Sequence, residues 1–174
     1  KKRGCHAGVW SGHGMGAGVA VLAAAGHDLI SGVGCVFPAT TAPSSSAAAT
    51  NVSAPGLVLA PGEDQWLDRG NPARLAVQWK GDVVYREVDK ADQGSFSETT
   101  LLRRLAGFSS SKVKYQEVAR AALTGFLLAT VGDDKKYSDF ADPTATIKGT
   151  TNRDMEWLIK ELPENPEHSL IPGK

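Results

Sequence analysis

Charge is nearly missing from the first third of this chain. Between Gly4 and Gly62, Asp28 is the one residue that is Lys, Arg, Asp or Glu, and the rest of the 19 basic and 19 acidic residues lie outside that stretch. Excess charge of one sign is missing too. The net charge is zero and the basic clusters are only Lys1-Lys2-Arg3 and Arg103-Arg104, so nothing points to a nucleic-acid partner. Cysteine is scarce. Cys5 and Cys35 cannot make a disulfide framework. With His6, His13 and His27 they form a Cys/His-rich group, but no pair has CxxC or HxxxH spacing, and the expected reading is unligated residues in a Gly-rich segment.

What is present within the uncharged stretch is an apolar run. Met15 to Phe37 is 23 residues of mostly Ala, Gly, Val and Leu, interrupted strongly only by His27 and Asp28. A helix rises about 1.5 Å per residue, so a run of this length can cross a bilayer. An ionisable pair inside hydrocarbon would then be a functional site by default. Residues 38–62, with Ser44-Ser45-Ser46 and Ala47-Ala48-Ala49 among prolines and glycines, read as a loop. Leu75 to Val88 carries Lys80, Asp82, Arg86 and Glu87, and predicts a strand or hairpin about Lys80-Gly81-Asp82. Lys112 to Val131 is the clearest helix, with Ser109 to Ser111 as N-cap candidates and Gly132 as a stop. Glu117 and Arg120 share one of its faces. After Pro143 the chain is a polar tail, in which Asp154 to Leu162 predicts a short amphipathic helix.

Several short segments occur in an informative order. Gly34-Cys35-Val36-Phe37-Pro38 resembles the end of the first membrane helix of chlorophyll a/b-binding light-harvesting proteins, which reads GALGCVFPE. Gly70-Asn71-Pro72 with Gln78 is similar to that family's GNPSLIHAQ, Gly94-Ser95-Phe96 to its GGSF, and Phe108 with Lys112-Val113-Lys114 to its FAELKVK. Arg120 and Ala122 fall on the Arg and Ala of its NGRLAM motif.

The resemblance implies a mainly α membrane protein, a single light-harvesting-type domain over residues 1–174 with transmembrane helices at 15–37 and 112–131. It implies a non-enzymatic antenna subunit, of photosystem II type, in the chloroplast thylakoid membrane, binding chlorophyll a, chlorophyll b and carotenoids (xanthophylls). Its partners would be a photosystem core, other antenna subunits in a homo- or hetero-trimer, and thylakoid lipids. Chlorophyll magnesium accepts oxygen or imidazole ligands. Glu117 or His27 would supply one, Arg120 would pair with a carboxylate, and Gln78 and the backbone near Leu75 would approach a further pigment.

The sequence also departs from that pattern. Val21, Ala24 and Gly26 stand where the family has Glu, His and Arg in its first helix, and Tyr115 stands where the last helix has its Glu. The interval from Gln78 to Gly94 is short and charged, so the middle helix is largely missing. Trp10 matches the N-terminal trimer motif, but Ser11 follows it and Met15 replaces its Arg. Two other readings stand beside the antenna: a soluble, non-enzymatic structural subunit of a larger assembly, which accounts better for the mean hydropathy of -0.21, and a hydrolase built on His27-Asp28 with a loop serine such as Ser95.

Overall fold

The computed structural model describes residues 8–63, 72–92, 95 and 110–162. Five strands form one sheet in the order β1-β2-β3-β4-β5: β1 is Gly8–His13, β2 Ile30–Val36, β3 Gly56–Pro61, β4 Val83–Val88 and β5 Thr150–Asn152. The first four are parallel, and β5 joins β4 antiparallel. Parallel neighbours need a crossover. These are α1 (Met15–Ala24), α2 (Ser45–Ala49) and α3 (Pro72–Val77), one between each successive pair of strands.

Two apolar layers result. On one face, Ala17, Val21, Ala49, Ala73 and Leu75 of the crossover helices pack with Val33, Cys35, Val58 and Tyr85 of the sheet, and Leu158 of α6 (Met155–Glu161) joins them. On the other face, α4 (Ser110–Thr130) lays Ala119, Ala122 and Phe126 over Leu57, Leu59, Val84 and Val88. The alternation within β3 shows why the strand is central: Leu57 and Leu59 serve one layer, Val58 and Ala60 the other.

This architecture overturns the expected membrane helices: the protein is α/β, with a mixed five-stranded sheet. The run 15–37 contains a ten-residue helix, a turn and a strand. At about 1.5 Å per residue, α1 spans roughly 15 Å, half a bilayer core. Gly26, at φ 77°, and the exposed His27-Asp28 end the helical segment, and β-branched Ile30, Val33 and Val36 favour the strand that follows. A parallel strand buried on both faces is apolar at nearly every position, so β2 extended the apolar run without a break. The segment 112–131 is a helix, within α4, but an amphipathic one. Ala119, Ala122 and Phe126 face the sheet, while Lys114, Glu117 and Arg120 are exposed. Among the described residues, no helix is long and apolar enough to cross a membrane.

Residues 38–62 are not a loop either. They contain α2, whose Ser44 side chain accepts a hydrogen bond from the Ala47 backbone N–H, and the buried strand β3. The expected strand after Lys80 is β4, reached from α3 and not from a hairpin partner. The helix expected at Asp154–Leu162 is α6, with Asp154 accepting at the Trp157 backbone N–H.

Candidate functional site: the turn at Gly14

In an open α/β sheet, ligands bind outside the carboxyl ends of the parallel strands. Here that edge carries a one-residue connection. β1 ends at His13, α1 begins at Met15, and Gly14 alone makes the turn, at φ 57° and ψ −125°. Three backbone hydrogen bonds fix it. Its N–H donates to the Val36 carbonyl at 3.0 Å, and its own carbonyl accepts from Ala17 at 3.2 Å and Ala39 at 3.0 Å.

The sequence Gly12-His13-Gly14-Met15-Gly16 supports this turn locally. A β-carbon on Gly12 would overlap the Gly16 carbonyl and stand 2.6 Å from the Ala17 nitrogen, so the first turn of α1 can approach β1 only over glycine. A β-carbon on Gly14 would meet nothing within 4 Å. A side chain at position 14 would therefore project into open space.

A sharp strand-to-helix turn of this spacing, with the central residue strained and its side chain exposed, is the geometry called a nucleophile elbow. It presents the serine of G-x-S-x-G in α/β-hydrolases, where the N–H of the next residue helps to hold the oxyanion. In this chain the presenting position is glycine, and the turn carries no hydroxyl or thiol.

The neighbouring carboxyl-end segments converge. Phe37, at φ 48°, follows β2 and lies 6.2 Å from the His13 ring, centroid to centroid. Burial lowers the pKa of His13 below its usual value of 6.5, which favours neutral imidazole at pH 7. After β3, Gly62 donates its N–H to the carbonyl of Val88, the last residue of β4, and Glu63 to that of Ala91 beyond it. Ser95 is buried, donates to the Asp92 carboxylate at 2.9 Å and accepts from the Asp92 N–H at 3.0 Å. Gln116 of α4 donates to its carbonyl at 3.0 Å. Its hydroxyl is thus held within a loop-closing turn. In hydrolases of this geometry, an acid and then a histidine follow the nucleophile along the chain. The single histidine after β2 in this sequence is His168, outside the described residues.

The residues nominated from sequence are not brought together. Leu75 is buried beneath α3, and Gln78 is exposed just past that helix. Glu117 and Arg120 are exposed on α4, on the opposite side of the sheet, and among the described residues Arg120 makes no ion pair. His27 and Asp28 lie in the α1–β2 turn, at the amino ends of the strands. There they line an open pocket of about 230 Å³ with Asn51 and Ser53. Strands of six residues separate that end from Ser95 by roughly 20 Å, so His27, Asp28 and Ser95 do not form one catalytic group. The nominated residues lie in three separate parts of the fold: the α1–β2 turn, the end of α3 and the exposed side of α4. Among the described residues, no three His, Cys, Asp or Glu side chains gather as metal ligands. Cys35 is buried, and burial pushes its thiol up to about 12.

Sequence reading missed the turn at Gly14 although its signal was present. Three glycines at i, i+2 and i+4 separate a short apolar strand from an Ala-rich helix, and treating the stretch as one helix concealed them. The fold and the turn define an α/β protein with a sharp strand-to-helix turn whose presenting residue is glycine. No protein-family model matches the chain, and no curated protein matches it significantly.

Proposed function

We propose that this protein is a non-enzymatic member of the hydrolase-like α/β class, one that binds at the carboxyl edge of its sheet and does not cleave what it binds. The observation that carries this reading is Gly14. It holds the backbone conformation of a nucleophile position, over open space, with no group able to attack. A catalytic elbow needs a side-chain oxygen or sulfur there and a base within hydrogen-bond reach. Position 14 supplies no such oxygen or sulfur.

The antenna reading took its geometry from two crossed membrane helices. Among the described residues α1 is ten residues long, α4 is amphipathic, and neither can cross a membrane. The non-enzymatic subunit considered beside it agrees with a silent elbow.

The test is direct. The chain is incubated with p-nitrophenyl acetate and, separately, with a fluorophosphonate probe for activated serines. No turnover above buffer and no labelling are expected. Ester hydrolysis by the wild-type chain that is abolished by denaturation overturns the proposal.

A further inference from the structure

The pocket at the amino ends of the strands coincides with a modification motif. Asn51-Val52-Ser53 reads N-x-S with a residue other than proline in the middle, the acceptor motif for an N-linked glycan. The three other asparagines of the chain lack it: Asn71 and Asn165 are followed by proline, and Asn152 by Arg153-Asp154. The motif lies between α2 and β3, in the kind of surface connection that a bulky, solvated modification requires.

The local fold sorts the three side chains of the motif. Val52 is fully buried, and its N–H donates to the Ala49 carbonyl at 3.0 Å. Asn51 and Ser53, on either side of it, are exposed. The Asn51 N–H donates to the Ala48 carbonyl at 2.9 Å, and its carbonyl accepts from the Gly26 N–H at 3.3 Å. Its main chain is thus fixed at both polar groups, while its side-chain amide makes a long, 3.5 Å contact with the exposed Thr50 hydroxyl. Asn51 and Ser53 both line the pocket of about 230 Å³ that also contains His27, Asp28, Ile30 and Pro55. Few polar groups beside apolar contacts make a small-ligand site. For a sugar, the carboxylate and imidazole meet hydroxyls, and Ile30 and Pro55 meet the carbon face of the ring.

We propose that Asn51 carries an N-linked glycan whose first sugar lies in the His27–Asp28 pocket. Two independent features select this occupant: the motif supplies the attachment point, and the pocket beside it supplies the lining. The donor is an oligosaccharide on a lipid diphosphate. The bond from the anomeric carbon to the phosphate oxygen breaks, with its electron pair leaving on the diphosphate. A bond from that carbon to Asn51 Nδ2 forms, and the amide nitrogen gives up one proton. The chain therefore passes through the compartment that holds this donor. The site lies at the opposite end of the strands from Gly14, so it stands apart from the function proposed for the carboxyl edge.

The test is mass spectrometry of the chain purified from its natural source, before and after peptide N-glycosidase in heavy-oxygen water, which turns a glycosylated asparagine into labelled aspartate. The expected result is a mass above the 18.3 kDa of the unmodified chain that falls on treatment, with the label at Asn51. A peptide map with Asn51 unmodified overturns the proposal. Sent through a eukaryotic secretory pathway, wild type and Ser53→Thr should be glycosylated and Ser53→Ala should lose the modification, with circular dichroism verifying that the variants fold. A wild type left unmodified there, or a glycosylated Ser53→Ala, also overturns it. Removing the glycan from the folded wild type should shift the amide NMR resonances of residues 27–30, and unchanged resonances overturn the seat in the pocket.

Discussion

The Gly14 N–H donates to the Val36 carbonyl at 3.0 Å, and this bond draws the end of β2 against the turn that closes β1. It holds Gly14 at φ 57° and ψ −125°, a conformation costly to any residue with a β-carbon. Gly14→Ala should therefore destabilise the protein by about 1–3 kcal/mol through backbone strain alone, since the added methyl meets no neighbour. Gly12→Ala should cost at least as much for a different reason, steric overlap with the backbone of α1. Urea denaturation distinguishes the origins when combined with Gly14→Ser. Serine should cost about the same as alanine if strain dominates, and equal stability of Gly14→Ala and wild type would refute the assigned backbone.

α4 is seated on the sheet at Gly34, where a β-carbon would overlap Leu123 Cδ1. Gly34→Ala should cost about 1–3 kcal/mol as an overpacked contact. Leu123→Ala should relieve most of that cost when the two are combined. A double-mutant cycle on chemical denaturation midpoints measures it, and coupling near 0.5 kcal/mol or more is expected for touching residues. Additive effects would mean that α4 does not lie on β2, which is the placement that separates an amphipathic sheet-covering helix from the membrane helix expected at 112–131.

Arg86, fully buried on β4, serves as a clamp. Its guanidinium donates to the carbonyls of Ala145 at 2.7 Å, Asp142 at 2.7 Å and Asp139 at 3.1 Å, and to the Asn152 side-chain oxygen. One residue thus ties the short helix α5 (Ser138–Ala141), the loop after it and β5 to the sheet. Burial lowers its pKa, while Asp142 and then Asp139 act in the opposite direction. Arg86→Met should remove several charge-assisted hydrogen bonds at once and cost about 3 kcal/mol or more. Arg86→Lys should recover little, because an ammonium cannot reproduce the planar fork. Hydrogen exchange should rise first in residues 139–152. Global unfolding without that local loss would show that Arg86 is not the clamp.

What could be read from sequence depended on whether local signals were unique. α6 was legible because Asp154 caps it and Trp157, Leu158 and Leu162 follow at helical spacing. α4 was legible as a helix, and Glu117 and Arg120 already marked a polar face; the resemblance to an antenna helix placed that face inside a membrane, whereas both side chains are exposed on an amphipathic helix. β2 and β3 were hidden for opposite reasons. β2 is buried on both faces and so merged with α1 into one apolar run, whereas β3 lay among Ser, Ala and Pro and was absorbed into a loop. The elbow vanished with β2. Once residues 15–37 are taken as one helix, Gly14 is merely the residue before it, and nothing marks it as a turn.

Cys35 gives the fold a pH dependence on the alkaline side. Its Sγ faces the Ala17 carbonyl at 4.0 Å inside the layer between α1 and β2, and burial raises its pKa from 9.0 to about 12. Between those values the unfolded chain releases the thiol proton and the native chain keeps it. The native state then binds more protons, so stability falls as pH rises through 9 towards 12 and is unaffected by this group below 9. Tyr85 acts in the same direction: burial first, and then Glu87, raise its phenol pKa above the usual 10.0. Urea midpoints measured from pH 7 to pH 11 should decline beyond pH 9, and Cys35→Ala should flatten the first part of that decline. The same burial should make Cys35 slow to react with Ellman's reagent at pH 8 until urea unfolds the chain. Rapid modification of Cys35 in the native protein would place its thiol at the surface and remove β2 from the interior of the sheet.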